Sequence, residues 1–336
     1  MRIVVLGASG FIGLNVADAL VARGHTPLCA HRLRTNVIPL RRRGLPMVVA
    51  DIARGSSFLA ALAGADVVVH AAGHYPRDSL NRIETLTRAH REMRHVLDTC
   101  ALAHVRRLVY VSSTATIAPR PGGDRSDERD VYPCAPGLGT YHDAKWIMES
   151  MALDERRFEV TVVCPGACLG PWDLRVGTSS LLVAAAHGRI PPHPDGPISL
   201  VDVRDVGRAV AVLVEGATPP ARVILAAHDA RLHPFLETLA LRYGTPPPPP
   251  PIDDAVAVAF ADSEERRVAG TTERPQLHRE IVDLVVNGVR LDARLGEGLA
   301  GGWTPLADTL DAYDAWARRL GIIPPRAPEA FRARTS

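Results

Sequence analysis

Six short runs along the first half of the chain are apolar almost throughout, rather than at alternate positions. A strand with one solvent-facing side alternates with a period of two, whereas a continuous apolar run indicates a strand buried on both faces. The pattern therefore predicts a parallel sheet that helices cover on both sides. The predicted strands are residues 2–7, 26–31, 46–51, 66–72, 107–113 and 159–166.

Amphipathic segments lie between these runs and predict helices. Residues 11–24 and 56–64 both end on glycine, a common helix stop signal. Longer helices are predicted at about 80–103 and 140–156. Strands that alternate with helices form right-handed βαβ units, so the predicted fold class is α/β, a doubly wound parallel sheet of the Rossmann type.

The amino-acid composition changes after residue 166, where proline and glycine become frequent. The stretch "TPPPPPPI" at 245–252 predicts a stiff spacer, and a ligand for a proline-binding domain is the alternative. Helices are predicted at 201–216 and 304–320. We therefore expect a Rossmann domain and a smaller second region. The first comprises residues 1–165 plus about 206–227, and the second 166–205 plus about 228–330.

Composition argues against several kinds of partner. The 336 residues are 46% hydrophobic and 23% charged, and the formal net charge is +2, so we predict neither nucleic acid nor a membrane as a partner. No apolar run reaches the ~20 residues of a membrane span, and the first residues lack a signal-peptide pattern. The five cysteines form no C-x-x-C pair, which predicts reduced thiols, no metal site and a cytoplasmic location.

The stretch "GASGFIG" at 7–13 follows the first predicted strand and opens the first predicted helix. Gly7 permits a tight turn, Gly10 removes a Cβ where a pyrophosphate would approach, and Gly13 lets the helix pack closely on the strands. The helix N-terminus offers free N–H groups to phosphates, although a glycine-rich turn without a ligand is the alternative. The predicted dinucleotide contacts here are Gly7, Ser9, Gly10, Phe11, Ile12 and Gly13.

The end of the second predicted strand indicates which dinucleotide binds. An acidic residue there would bind the ribose 2′-hydroxyl of NAD, whereas arginine accommodates the 2′-phosphate of NADP. The sequence reads "CAHRLR", which places His31 and Arg32 at this point and offers no carboxylate. The predicted cofactor is therefore NADP, with NAD as the alternative. Further cofactor contacts are predicted after the third and fourth strands, at Asp51, Ile52, Ala71, Ala72 and Gly73.

Tyr141 stands four residues before Lys145 in "YHDAK", on a predicted helix. Residues at i and i+4 share a helix face, with Cβ atoms about 5–6 Å apart. A neighbouring ammonium stabilises a phenolate and so tunes the phenol for proton transfer near neutral pH. Lys145 is the only lysine among 39 lysine and arginine residues, and a compact ammonium fits beside a phenol and ribose hydroxyls where guanidinium is too broad. An ordinary surface pair is the alternative.

Hydroxyl side chains follow the fifth predicted strand in "VSSTAT" at 111–116. This strand end shares the carboxyl edge of the sheet with the glycine loop, and ligands of open α/β sheets bind along that edge. Ser112, Ser113 and Thr114 are therefore candidates to hydrogen-bond a substrate oxygen. For at least two of them, the alternative is that the hydroxyl only terminates the strand.

Together, the glycine loop, these hydroxyls and the Tyr-x-x-x-Lys pair resemble the extended short-chain dehydrogenases/reductases, the NAD-dependent epimerase/dehydratase family, in its dihydroflavonol-reductase-like members. The resemblance covers nearly the whole chain. It implies that Thr114 orients the reacting oxygen, with Ser113 as the alternative, and that Tyr141 and Lys145 take the acid/base roles. The segment "CPGACLGPWD" resembles the family's segment beside the nicotinamide, which implies cofactor contacts at Pro165, Gly166 and Ala167.

Two positions depart from the family pattern. Ala89 stands where the family usually has an asparagine in the long helix, so the kink or proton relay attributed to that asparagine is in doubt here. Ile198 stands where nucleotide-sugar epimerases usually carry an arginine that grips a diphosphate. The second departure argues against a UDP-sugar as the substrate.

The resemblance implies an NAD(P)-dependent oxidoreductase that exchanges hydride with a carbonyl or alcohol of a small molecule. One alternative is a sugar epimerase or dehydratase that holds NAD(P) tightly, and another is a non-catalytic NAD(P)-binding sensor. The second region would form the substrate pocket. The sequence leaves the oligomeric state open, and a homodimer is suggested only by analogy with related folds, which often pair through two long helices.

Overall fold

The computed structural model describes residues 1–73 and 79–325, in which ten strands form two sheets. The larger sheet is entirely parallel, with seven strands in the order β3-β2-β1-β4-β5-β6-β9. The predicted α/β class, a doubly wound parallel sheet, is thereby confirmed. The strands are β1 Ile3–Leu6, β2 Leu28–His31, β3 Met47–Val49, β4 Val67–His70, β5 Arg107–Val111, β6 Glu159–Pro165, β7 Ala167–Leu169, β8 Pro197–Asp202, β9 Arg222–Leu225 and β10 His228–Arg231.

Twelve α-helices lie in the described residues, and some of them cover the two faces of this sheet. None of them is long and apolar enough to cross a membrane. The helices are α1 Phe11–Ala22, α2 Ile38–Arg42, α3 Leu59–Leu62, α4 Arg82–Leu102, α5 Thr140–Leu153, α6 Ser180–Ala186, α7 Val203–Glu215, α8 Leu232–Tyr243, α9 Asp254–Val268, α10 Arg279–Val286, α11 Arg294–Ala300 and α12 Leu306–Arg319.

Two apolar cores, one on each face of the large sheet, explain the continuous apolar runs. Successive strand residues point to opposite faces, so Val4 enters the core beneath α4 and α5, while Val5 enters the core beneath α1 and α7. In the same way, Val68 enters the core beneath α4 and α5, and Val69 enters the core beneath α1 and α7. Because both faces are buried, both sets of positions are mainly apolar, and the six predicted strands all form.

Some predicted helix boundaries are wrong. Residues 56–64 are not one helix: a 3₁₀ segment spans Ile52–Phe58, interrupted by Gly55 at φ +60°, and only Leu59–Leu62 is α-helical. The predicted helix at 201–216 begins at Val203, because Asp202 ends β8 in an extended conformation and its carboxylate accepts from the Arg204 amide at 2.7 Å. That carboxylate caps the helix.

The second sheet, in the order β10-β8-β7, joins the large one through Gly166. β6 ends at Pro165 and β7 begins at Ala167, so a single residue separates the two sheets along the chain. The polyproline stretch forms no helix or strand, and Thr245 and Ile252 at its ends hydrogen-bond Ala185 and His193 at 2.8 and 2.9 Å. Both ends are thus fastened within the second predicted region, whose boundaries stay a prediction.

Candidate active site

The carboxyl ends of the central strands meet along one edge of the large sheet. Leu6 is level with both Ala30 and His70, and Tyr110 is level with both His70 and Val162. The residues that follow these positions therefore line one edge, where open parallel sheets bind ligands. The glycine loop, the His31–Arg32 pair, the 71–73 segment and the hydroxyls after β5 all begin there.

The glycine loop is built as its spacing predicts. Gly7 has φ +82°, and a Cβ on it would lie 2.7 Å from the Ala72 nitrogen. A Cβ on Gly13 would lie 2.3 Å from the carbonyl oxygen of Gly7, so α1 approaches the loop as closely as backbone permits. Gly10 is the N-cap residue just before α1 and offers no side-chain cap. Apart from its chain neighbours, the Gly7 oxygen, at 3.1 Å, is the one described atom within 4 Å of a Cβ built on Gly10. First-turn amides have no helical partner, so this surface fits a pyrophosphate.

We expect Gly13→Ala to lower the free energy of unfolding by about 1–3 kcal/mol, because its Cβ would meet backbone that must move. NADPH binding should weaken in the same variant. Gly298→Ala is the matched control, since Gly298 is also helical but has no atom within 4 Å of a built Cβ. Urea unfolding and NADPH fluorescence titration measure both effects, and equal stability of the two variants would show that α1 does not pack tightly against the loop at Gly13.

The adenosine end of the predicted site carries positive charge and one carboxylate. The His31 ring Nδ1 lies 3.0 Å from the Arg32 carbonyl oxygen, while the side chain of Arg32 is exposed. Among the described residues, neither Arg32 nor Arg34 forms an ion pair. Asp51 accepts from the Ala53 amide at 3.1 Å and remains part-exposed, and Ile52 beside it is buried. Ala71 donates to Leu6 at 3.0 Å, next to Ala72 and Gly73.

Helix α5 brings Tyr141 and Lys145 to the end of β5. Both side chains are buried, and the Lys145 Nζ lies 5.8 Å from the Tyr141 ring centre and 5.9 Å from that of Tyr110. The same Nζ donates to the main-chain oxygen of Ser112 at 3.4 Å. The predicted i,i+4 pair therefore lies on one helix face that is turned toward the strand edge.

Burial lowers the pKa of Lys145 to about 8, while Glu280 and Glu149 oppose that shift. Burial also raises the pKa of Glu280 to about 7. Behind the lysine, His70 stacks on Tyr110 with ring centres 5.2 Å apart, and burial lowers the pKa of His70 to about 3. His70 is therefore neutral at pH 7 and adds no positive charge beside the ammonium of Lys145.

The hydroxyls after β5 have different partners. Ser112 donates to Glu149, Ser113 accepts from the Ala115 amide at 3.2 Å, and Thr116 donates to Glu149 at 2.7 Å. Thr114 is the part-exposed member of this segment, and its hydroxyl forms no hydrogen bond with any described residue. Ser112 is thus occupied with Glu149, whereas the Thr114 hydroxyl is open to the edge of the sheet.

The segment implied to lie beside the nicotinamide is the junction between the two sheets. Gly166 donates to Leu225 at 2.9 Å, and a Cβ on Gly166 would lie 2.5 Å from the Ser199 oxygen. Pro165 and Ala167 are held in the two sheets on either side of it. The junction lies next to β5 through β6, so it borders the Tyr141 site.

The two departures from the family pattern occupy apolar surroundings. Ala89 is buried in the core beneath α4 and α5. Ile198 lies in β8, level with Ala230 of β10, and packs against the core of the second region. Neither position offers a polar side chain to a ligand.

Sequence reasoning missed two residues of this site, Glu149 and Arg222. Their carboxylate and guanidinium form a buried ion pair at 2.6 Å behind the hydroxyl segment. One signal was present for Glu149, which continues the four-residue spacing of Tyr141 and Lys145 along α5. Arg222 lies on β9 and no local spacing links it to the site.

A family model described as the NAD dependent epimerase/dehydratase family matches residues 3–224. The chain belongs to this family. A putative dihydroflavonol 4-reductase of Synechocystis is 26% identical over 86% of each chain. The sterol demethylase protein B of Methylococcus capsulatus is 28% identical over 96% of this chain and 100% of that protein. The structure of a yeast methylglyoxal/isovaleraldehyde reductase complexed with NADPH, 20% identical, superposes with a TM-score of 0.72 over 96% of this chain and 100% of that one.

Members of this family depend on NAD or NADP, so the fit of the glycine loop to a dinucleotide agrees with the family. In sheet order, β2 and β5 are three strands apart, roughly 14 Å at ordinary strand spacing. The predicted contacts at Arg32 and Tyr141 lie at the two ends of this span, and the glycine loop follows β1 between them.

Proposed function

We propose that the protein is an oxidoreductase that exchanges hydride between NADP and a carbonyl or alcohol carbon of a small molecule. The observation that carries the proposal is the placement of Tyr141 and Lys145 on one face of α5 beside the hydroxyls that follow β5. Acid/base groups next to a dinucleotide loop are what reversible carbonyl reduction needs. The names of the curated relatives, which include reductases, support the same reaction class.

Each side chain has a distinct role in the proposed reaction. Thr114 orients the substrate oxygen by donating a hydrogen bond, and Tyr141 donates a proton to that oxygen during reduction or accepts one during oxidation. Lys145 favours the phenolate of Tyr141 and holds ribose hydroxyls. The 165–167 junction would hold the nicotinamide, which when bound would supply or take the hydride. The second region would close over the substrate.

Arg32 supports a preference for NADP because its exposed guanidinium forms no ion pair with any described residue and can donate hydrogen bonds to a 2′-phosphate. We expect Arg32→Ser to weaken NADPH binding about ten- to a hundredfold and to leave NADH binding nearly unchanged. Arg42→Ser on α2 is the matched control, since Arg42 is also exposed. Fluorescence titration of both dinucleotides decides, and tighter NADH binding by the wild type would overturn the preference.

The proposed reaction is tested by following NADPH absorbance with a panel of aldehydes and ketones. A reductase changes the redox state of NADPH in bulk, whereas an epimerase oxidises and re-reduces its substrate without net consumption. Consumption that depends on a carbonyl supports the proposal. Binding of NADPH without consumption, together with isomerisation of a sugar, would favour the epimerase instead.

The epimerase remains the second candidate because a solved structure described as a nucleoside-diphosphate-sugar epimerase from Pseudomonas aeruginosa is 25% identical, with a TM-score of 0.80. Ile198 speaks against it, since an isoleucine cannot bind a diphosphate. The cytoplasmic location and the homodimer stay predictions.

A further inference from the structure

The ion pair between Glu149 and Arg222 is the most deeply buried charge pair beside the proposed site. The two side chains are 4% and 5% exposed. A buried pair is weak evidence for stability, because removing two charges from water costs about as much as their attraction returns. Stability alone therefore does not explain why this pair is buried beside the proposed site.

Glu149 holds both ends of the hydroxyl segment. One carboxylate oxygen faces Arg222, and the other accepts from Ser112 and Thr116. An ionised carboxylate can accept both hydroxyl protons at one oxygen. Ser112 in turn offers its main-chain oxygen to the Lys145 ammonium. Glu149 thus contacts the segment that contacts the lysine.

Arg222 fastens the same segment at Thr116. Its guanidinium donates to the main-chain oxygen of Thr116 at 2.8 Å and to that of Asp130 at 3.0 Å. A planar guanidinium can make these bonds and the ion pair together, which a lysine ammonium cannot reproduce in the same geometry. The pair therefore connects α5, β9 and the segment after β5 at one point.

We propose that Glu149 and Arg222 are positioning residues, which fix the 112–116 segment and, through Ser112, place the ammonium of Lys145 beside Tyr141. The catalytic consequence of this inference rests on the proposed function. The position and titration of Lys145 do not, and they can be measured without any turnover. The reacting atoms need not touch either residue.

The charges of Glu149 and Arg222 also affect the protonation of Lys145. Glu149 favours the ammonium, and its loss would leave Arg222 as an unpaired cation in the same core, so both changes disfavour a second positive charge. The other titratable groups that face Lys145 belong to different elements and stay unchanged in the variants below. They are Glu280 of α10, His70 of β4, Cys164 of β6, Cys168 of β7, Tyr110 of β5 and Tyr141 of α5.

The sole lysine makes the test direct. Acetic anhydride acetylates only the neutral amine, so the rate of acetylation of the Lys145 peptide, followed by mass spectrometry across pH, gives the titration midpoint of this one side chain. We expect Glu149→Gln to lower that midpoint by about one pH unit. The double variant Glu149→Gln/Arg222→Met removes the unpaired cation and should return the midpoint part of the way.

Asp205→Asn is the matched control, because Asp205 is also a buried carboxylate that accepts from a threonine hydroxyl, at 2.6 Å from Thr304, and pairs with an arginine on the other face of the sheet. It should leave the Lys145 midpoint unchanged. Equal midpoints in wild type, Glu149→Gln and the double variant would overturn the proposal. If Glu149→Gln does not fold, the Lys145 midpoint of the double variant is compared with that of the wild type, and equal midpoints overturn the proposal.

Turnover separates this inference from the proposed function. With a carbonyl substrate, Glu149→Gln should lower kcat about tenfold or more and shift the alkaline limb of the pH profile with the acetylation midpoint. Wild-type turnover with an unaltered kcat in Glu149→Gln would contradict the positioning role. A shifted midpoint without any wild-type turnover would support the positioning of Lys145 and refute the oxidoreductase.

Discussion

Tyr141→Phe should lower kcat/KM with a carbonyl substrate by about 10²–10⁴-fold and leave the NADPH dissociation constant unchanged. The substitution removes one hydroxyl and keeps the ring that packs beside Lys145. General acid/base catalysis contributes a factor of this size when the proton donor is lost. Stopped-flow or steady-state NADPH absorbance gives the rate, and fluorescence titration gives the affinity.

Tyr243→Phe is the control for this prediction. Tyr243 donates to Asp314 at 2.7 Å in the second region, so losing its hydroxyl should lower the free energy of unfolding by about 1 kcal/mol and spare turnover. Tyr141→Phe should show the opposite pattern, with normal stability and little turnover. Full activity in Tyr141→Phe would refute the acid/base role of this residue.

The large sheet could be predicted from sequence because burial on both faces leaves a signal in each strand. The second sheet could not, since β7 has three residues and β10 reads "HDAR", which is short and polar. Those strands form because β8 pairs with both of them in register, an interaction between segments distant in sequence.

The same distinction applies to the candidate site. The glycine loop and the Tyr141–Lys145 pair depend on spacing within one loop and one helix, so the sequence predicted both. Arg222 reaches Glu149 only because β9 pairs with β6. The hydrogen bond from the Ser112 hydroxyl to Glu149 forms only when α5 packs over the segment that follows β5. Sequence also left the choice of hydroxyl open, and the partners of Ser112 and Ser113 now favour Thr114 for the proposed role.

Lys145→Arg should lower kcat/KM about a hundredfold or more at pH 7, although the charge is conserved. The site holds a compact ammonium whose Nζ approaches the Ser112 oxygen, and a guanidinium is broader and more rigid. In the wild type, the ammonium is lost as pH rises through about 8, so the proposed activity should fall above that pH. Residual activity of the arginine variant should lack this fall, because guanidinium stays charged.

Lys145→Met should abolish turnover and yet raise the free energy of unfolding at pH 7 by about 1–3 kcal/mol. In the folded chain the pKa of Lys145 is lowered to about 8, whereas the unfolded lysine keeps its proton to about pH 10.5. The unfolded state therefore binds more protons between these values, so wild-type stability rises with pH across that window, and the full cost is present below it.

Methionine removes this cost and the associated pH dependence, whereas Lys145→Arg retains a buried cation and should gain no stability. Urea unfolding of the three proteins at pH 7 and pH 9.5 separates them. If the wild type is no less stable at pH 7 than the methionine variant, burial of the Lys145 ammonium does not destabilise the folded chain. The opposite result would show that the chain keeps its single lysine at a cost in stability, which a purely structural role for that residue does not explain.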